Sequence, residues 1–214
     1  MTHDTETCPI PEGDPLFRSY HDDEWGVPAS ADRAFFEKIC LEGFQSGLSW
    51  RTILQRRDEF RRAFDEFDMH RIAMYDHAEI DRLMQDKGII RNRRKILSVI
   101  NNARRALELQ EQSVSLSGFC WSFEPSPESR PARVTRAWLR QNPASGESAA
   151  LAGALKLRGW TYVGPVTMYA LMQALGIVND HVDGCHCRLR IETLRQSFSR
   201  PAVSGSAHPR GDKR

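Results

Sequence analysis

No apolar run in this chain approaches the roughly 20 residues a membrane span requires. The opening Met1 to Glu6 is polar and acidic, unlike a secretory signal. A cytoplasmic protein without a membrane partner is therefore expected. Cysteine is sparse: five, an odd number scattered along 214 residues, argue against a disulfide framework and leave room for a metal site. There is no internal repeat, no long low-complexity block, and no stretch with the β-branched alternation of a sheet core, so the expected fold is all-α. A large global charge is missing too. The formal net charge is +2, and Arg200, Arg210, Lys213 and Arg214 against Asp212 place +3 of it in residues 200–214, leaving −1 elsewhere. Affinity for nucleic acid must then come from a local patch.

What is present suits one soluble domain, with 40% hydrophobic and 27% charged residues. Residues 1–30 are irregular and rich in proline, yet they hold Phe17, Tyr20 and Trp25, a concentration of rings that a disordered leader lacks. Periodicity predicts helices over 31–44 with Ser30 as N-cap, from 50 through Phe64, over 69–74 and 78–85, and over 92–109. Residues 111–145, with Pro125, Pro127, Pro131 and Pro143, read as a loop-rich linker between two helical halves. Helices resume over 147–158 and 166–175. The domain is expected to span 1–192, with 193–214 as a basic, disordered tail.

The stretch from Cys40 to Trp50 organises the chemistry. Phe35, Ile39 and Glu42 share one helix face, so Glu42 needs a cleft or a partner, because burying a carboxylate alone is costly. Gly43 and Gly47 break the helix beside it and Trp50 offers a flat ring. Phe17, Tyr20, Trp25 and Trp50 singly suit a core. Around Glu42 they would sandwich an extruded base while the carboxylate accepts from its amino edge.

Cys8, His21, His181 and Cys185 offer two thiolates and two imidazoles, a closed tetrahedral zinc set. The His-x-x-x-Cys half has ligand spacing; a packed thiol with surface histidines is the competing reading, and His186 and Cys187 compete as ligands. Gly159 and Pro165 delimit a glycine hairpin between two helices, and Gly164 with the free N–H groups at Val166 and Thr167 makes an anion site or a plain turn. Arg91, Arg93, Arg94 and Lys95 crowd a helix start, which suits phosphate contact or a solvated basic face.

In order along the chain, Cys8, the run from Tyr20 to Pro28, Leu41-Glu42-Gly43, Gly47-Leu48-Ser49-Trp50, Gly88-Ile89-Ile90-Arg91, and Asn179-Asp180-His181 with Cys185 closely resemble the DNA-3-methyladenine glycosylase I family. The resemblance implies a helix-hairpin-helix glycosylase fold and hydrolysis of the N-glycosidic bond of 3-methyladenine in alkylated double-stranded DNA; a monomer is expected, with no lyase step. It implies one structural zinc on Cys8, His21, His181 and Cys185, clipping the terminal segments together. Glu42 matches the base-reading carboxylate, Tyr20 and Trp50 the pocket walls, with Trp25 and Phe17 nearby. The Ser46-Gly47-Leu48 loop matches the segment that probes the duplex gap. Ile10 stands where an aromatic is expected, which would loosen the pocket. Asn179 stands where the wider superfamily places a catalytic aspartate. A non-catalytic, zinc-stapled lesion-binding module and a helix-hairpin-helix nuclease or lyase are the competing functions. The intact set of Glu42, Tyr20 and Trp50 favours the glycosylase, and no lysine stands out as a Schiff-base nucleophile.

Overall fold

Helical periodicity carries through to the architecture. The computed structural model describes residues 6–203, and among them there are twelve α-helices and no β-strand. In chain order these are α1 (Pro15–Ser19), α2 (Asp32–Gln45), α3 (Trp50–Leu54), α4 (Arg57–Ala63), α5 (Met69–Ala73), α6 (His77–Gln85), α7 (Arg93–Glu111), α8 (Leu116–Trp121), α9 (Arg136–Gln141), α10 (Gly146–Leu157), α11 (Pro165–Ala174) and α12 (Arg188–Ser197). A π-turn, Tyr20–Glu24, continues directly from α1.

The central rod is α2. Phe35, Phe36, Ile39, Cys40, Leu41 and Phe44 are all buried, so the helix is apolar on nearly every side and must be enclosed. It is enclosed by α7, α8, α11 and α3. Each of its large side chains contributes about 2 kcal/mol by leaving water. The expected cap, Ser30, is not used: Ala31 occupies the N-cap without a side-chain bond. Asp32 instead turns away and caps α8, accepting from the backbone N–H of Leu116 (3.1 Å) and Ser117 (2.9 Å). Burial alone would raise its pKa. The hydrogen bonds from Ser115, Leu116 and Ser117 outweigh that and hold the carboxyl below its ordinary value.

The helix expected from Trp50 through Phe64 is two helices. Apolar periodicity runs unbroken, but the chain bends at Gln55 and Arg56, and the Arg56 guanidinium donates to the carbonyls of Lys87 (3.2 Å) and Gly88 (3.1 Å). Phe60 still packs against Phe44, ring centroids 4.6 Å apart and tilted by 54°. The linker region 111–145 holds α8 and α9 between loops.

The structure continues past position 193, where the sequence suggests a disordered tail. Helix α12 extends to Ser197, Phe198 stacks on Trp121 with centroids 5.0 Å apart, and Arg200 pairs with Glu124 at 2.9 Å. The Ala202 carbonyl lies where a Gly118 side chain would stand, 2.0 Å from an ideal Cβ, so only glycine fits beneath that segment. The rest of the expected tail, 204–214, lies outside the described residues.

Candidate active site and metal centre

One cavity of about 270 Å³ gathers the side chains that the sequence singled out around Glu42. Phe17, Tyr20 and Trp25 reach it from α1 and the π-turn, Glu42 from α2 and Trp50 from the start of α3. Phe17 and Tyr20 meet edge to face at 6.3 Å, and Tyr20 and Trp50 lie 5.4 Å apart. Ile10 and Leu139 supply an aliphatic corner where the family resemblance suggested a lost ring. Glu42 is only 6% exposed, so its carboxylate needs a partner.

That partner is Lys38, one helical turn earlier. Its ammonium lies 2.8 Å from Glu42 Oε1, donates to the Tyr20 hydroxyl at 2.9 Å, and sits 3.4 Å from the centroid of the Trp50 ring. Burial would lower the Lys38 pKa, but the charge of Glu42 and the contact with Tyr20 overcome it and hold the ammonium above its ordinary value. Burial raises the Tyr20 pKa, so the phenol stays neutral. The sequence reading overlooked Lys38. Its spacing of four from Glu42 was the available signal.

Cys8, His21, His181 and Cys185 come together from both ends of the chain, all buried, with donor atoms within 4.8 Å of one another. The gaps are His21 Nε2 to His181 Nδ1 3.1 Å, Cys185 Sγ to His181 Nδ1 3.4 Å, Cys185 Sγ to His21 Nε2 3.5 Å, and Cys8 Sγ to His181 Nδ1 3.7 Å. Zn–N bonds of about 2.05 Å and Zn–S bonds of about 2.3 Å in a tetrahedron imply edges of roughly 3.3–3.8 Å. The donor set therefore fits a zinc-sized ion. The far ring nitrogens are also engaged: His21 Nδ1 meets Asp22 at 2.7 Å and His181 Nε2 meets the Trp25 carbonyl at 3.0 Å, the outer contacts that orient metal-binding imidazoles. The Cys8 contact, followed by contacts with His181 and His21, pulls the Cys185 thiol well below its ordinary pKa. Cys8, His21 and Trp25 also line the base-sized cavity, so the cluster forms part of its wall. His186 and Cys187 form a second such group with Asp22 and the shared His21.

The glycine hairpin joins α10 to α11. Gly159 adopts φ +79°, which suits its lack of a Cβ, whereas Tyr162 takes a left-handed φ of +58° at strain. Helix α7 grips the hairpin: Asn102 exchanges two 3.0 Å bonds with the backbone of Thr161, and Asn101 donates to the Gly159 carbonyl at 2.9 Å. On its other side the Tyr162 Cβ lies 3.3 Å from where a Gly43 side chain would be, so the hairpin abuts α2 near the cavity. Gly164 caps α11 with no side chain over the helix end, and Val166 is exposed there beside a half-buried Thr167. Ser46, Gly47 and Leu48 form an exposed loop between Gln45 and Trp50, which both line the cavity.

Two residues behave differently from their sequence neighbours. Arg91 is exposed near the start of α7, but Lys95, grouped with it as a surface cation, is buried. Its ammonium donates to the carbonyls of Phe44 (2.7 Å) and Ser46 (2.5 Å), closing the C-terminus of α2 at the root of the loop. Asn179 faces away from the cavity, donating to the Arg188 carbonyl at 3.1 Å and to Glu192 at 3.2 Å. The adjacent Asp180, to which the sequence assigned no role of its own, accepts from Tyr169 (2.8 Å), from Arg130 and from Gln173 (2.7 Å), a cavity-lining amide.

Known proteins resemble this chain over most of its length. The family model described as methyladenine glycosylase matches residues 10–188. DNA-3-methyladenine glycosylase 1 of Escherichia coli (strain K12) is 45% identical over 184 residues, 85% of this chain and 96% of that protein. DNA-3-methyladenine glycosylase of Haemophilus influenzae (strain ATCC 51907 / DSM 11121 / KW20 / Rd) is 40% identical over 185 residues, covering 86% and 98%. A crystal structure of 3-methyladenine DNA glycosylase I superposes with a TM-score of 0.78 at 42% identity, covering 86% of this chain and 99% of the other.

Proposed function

The chain belongs to the methyladenine glycosylase family, and from that premise we propose that it is a DNA-repair glycosylase that releases 3-methyladenine from alkylated double-stranded DNA as the first step of base excision repair. The observation that carries this reading is the buried Glu42 carboxylate on the wall of a ring-lined cavity, with Oε1 held by Lys38. The damaged nucleotide swings out of the duplex, stacks against Tyr20 and Trp50, and gives its exocyclic amine to Glu42. An N3-methylated adenine in DNA is cationic, so its glycosidic bond is weak and the base departs neutral. A nearby carboxylate favours the cation, and binding supplies extrusion and alignment.

No general base is assigned to Asn179, whose amide is turned toward α12. A lyase step is not expected either: Lys38 is ion-paired with Glu42, and a protonated amine has no lone pair to attack the sugar. The enzyme is thus monofunctional. Cys8, His21, His181 and Cys185 hold one zinc ion; four protein ligands leave no open position, so the ion serves as a clasp. Ser46, Gly47 and Leu48 enter the gap left in the duplex, while Gly164, Val166 and Thr167 at the start of α11, with Arg91, contact phosphates. The protein acts as a cytoplasmic monomer.

Chromatography of bases released from methylated duplex DNA tests the reading. Free 3-methyladenine is expected, without strand nicking in the absence of alkali, and Glu42→Ala is expected to reduce release while helicity and metal content persist. Absence of any released base would overturn it.

A further inference from the structure

The rings and the carboxylate of the cavity explain how a flat base is held, but not why one base is preferred. Lys38 addresses that. An ammonium carries three N–H donors and no acceptor. All three directions are occupied here, by Glu42 Oε1 at 2.8 Å, by the Tyr20 oxygen at 2.9 Å and by the face of Trp50 at 3.4 Å. Nothing of the amine is left for a ligand, and Lys38 does not line the base cavity itself. Its influence passes through its neighbours.

Both neighbours lose a choice. Glu42, ion-paired with that buried ammonium, lines the cavity as an acceptor. Tyr20 already accepts from Lys38, and its own O–H finds no acceptor among the described residues. Because burial keeps that phenol neutral, the proton remains available to donate. Without the ammonium, the two groups would be free to satisfy each other, the hydroxyl donating to the carboxylate, and neither would present a fixed pattern to a ligand.

We propose that Lys38 is a positioning residue that fixes the hydrogen-bond polarity of the cavity, with Glu42 accepting and Tyr20 donating, and so selects an adenine-type edge over a guanine-type edge. This deepens the glycosylase reading and rests on it. An adenine edge presents the N6 amine as donor beside N7 as acceptor, which matches that pair. A guanine edge presents O6 and N7, both acceptors, and sets O6 against a carboxylate that has no proton to give. Correct and incorrect edges at such a bidentate site differ by a factor of about 10 to 100.

The test compares initial rates of 3-methyladenine and 3-methylguanine release from methylated duplex DNA by the wild-type protein, Lys38→Met and Lys38→Arg. Lys38→Met keeps the stem and removes the donors, and is expected to reduce the preference for 3-methyladenine by about 10-fold. Lys38→Arg keeps a donor-only cation and is expected to retain the wild-type ratio. A purely structural role would slow both releases in proportion, so an unchanged ratio in Lys38→Met overturns the proposal, as does an arginine variant with the methionine variant's ratio. A second measurement needs no variant. Quenching of tryptophan emission should report tighter binding of free 3-methyladenine than of free 3-methylhypoxanthine, which replaces the amine by a carbonyl oxygen, by at least about 10-fold. Equal affinities overturn the proposal while leaving the glycosylase reading intact. Failure of the wild-type protein to release either base from DNA removes both.

Discussion

Lys38, within α2, and Lys95, on α7 beside the C-terminus of α2, are two buried amines kept in the fold by opposite means. Lys38 faces a full counter-charge, Glu42 at 2.8 Å, and its ammonium is held above the ordinary lysine value. Lys95 faces only carbonyl dipoles, those of Phe44 and Ser46, and burial pushes its pKa down. A carboxylate makes the charged amine the native form, so the cavity wall is electrostatically committed. Dipoles merely tether: the helix end gains a cation where its carbonyls converge, at some desolvation cost. The Cys8–His21–His181–Cys185 cluster is a third solution, four buried donors arranged so that they could hold a metal ion.

The sharpest way to break the comparison is to remove one member of the committed pair. Glu42→Gln is expected to slow base release by about 10²-fold and to cost about 3–5 kcal/mol of stability, because Lys38 is left buried without an anion. Adding Lys38→Met to it should recover most of that stability in a urea titration and none of the activity. Retention of full stability by Glu42→Gln alone would show that the pair is not committed. The metal-centred solution comes next. Cys185→Ser should abolish stoichiometric zinc in elemental analysis and lower stability by about 3 kcal/mol, a Tm decrease of roughly 10 °C. Lys95→Met is milder, about 1 kcal/mol for two neutral acceptors returned to water at a half-exposed loop. Its signature is weaker DNA binding by gel shift with no change in the preference between bases.

The smallest effect separates the two lysines by sign. Lys38 binds its proton more tightly folded than unfolded, so its contribution is complete below the unfolded lysine pKa and is lost as pH rises through the higher folded value. Lys95 binds its proton less tightly folded, so its penalty is complete at neutral pH and is relieved as pH rises through the lowered folded value toward the unfolded one. Stability differences between wild type and each methionine variant, followed above about pH 9 by urea melts, should therefore slope in opposite directions. Parallel slopes would erase the distinction.

Local pattern made much of this legible. The spacing of Phe35, Ile39 and Glu42 identified α2 and its carboxylate, and the glycine hairpin stood out by Gly159 and Pro165. What stayed hidden depends on partners distant in sequence. Lys95 looked like a member of a basic surface because nothing near it in sequence shows that carbonyls 49 and 51 positions earlier face its amine. Asp32 was passed over because its acceptors serve a helix more than eighty residues downstream. The bend at Gln55 is invisible to periodicity, since apolar spacing continues across it. Lys38 is different: its signal was local, four residues before Glu42, and was obscured by the habit of assigning lysine to solvent.

The four-residue cluster has a consequence for synthesis. Cys8 and His181 are 173 positions apart, and Cys8, Pro9 and Ile10 form one wall of the cavity. A nascent polypeptide emerging from the ribosome can assemble α2 and α7 early, but it cannot bring Cys8 against His181 and Cys185 until those residues clear the exit tunnel. The pocket is thus finished last, and a truncated translation product that stops short of that point would lack a working site however well its central helices had packed.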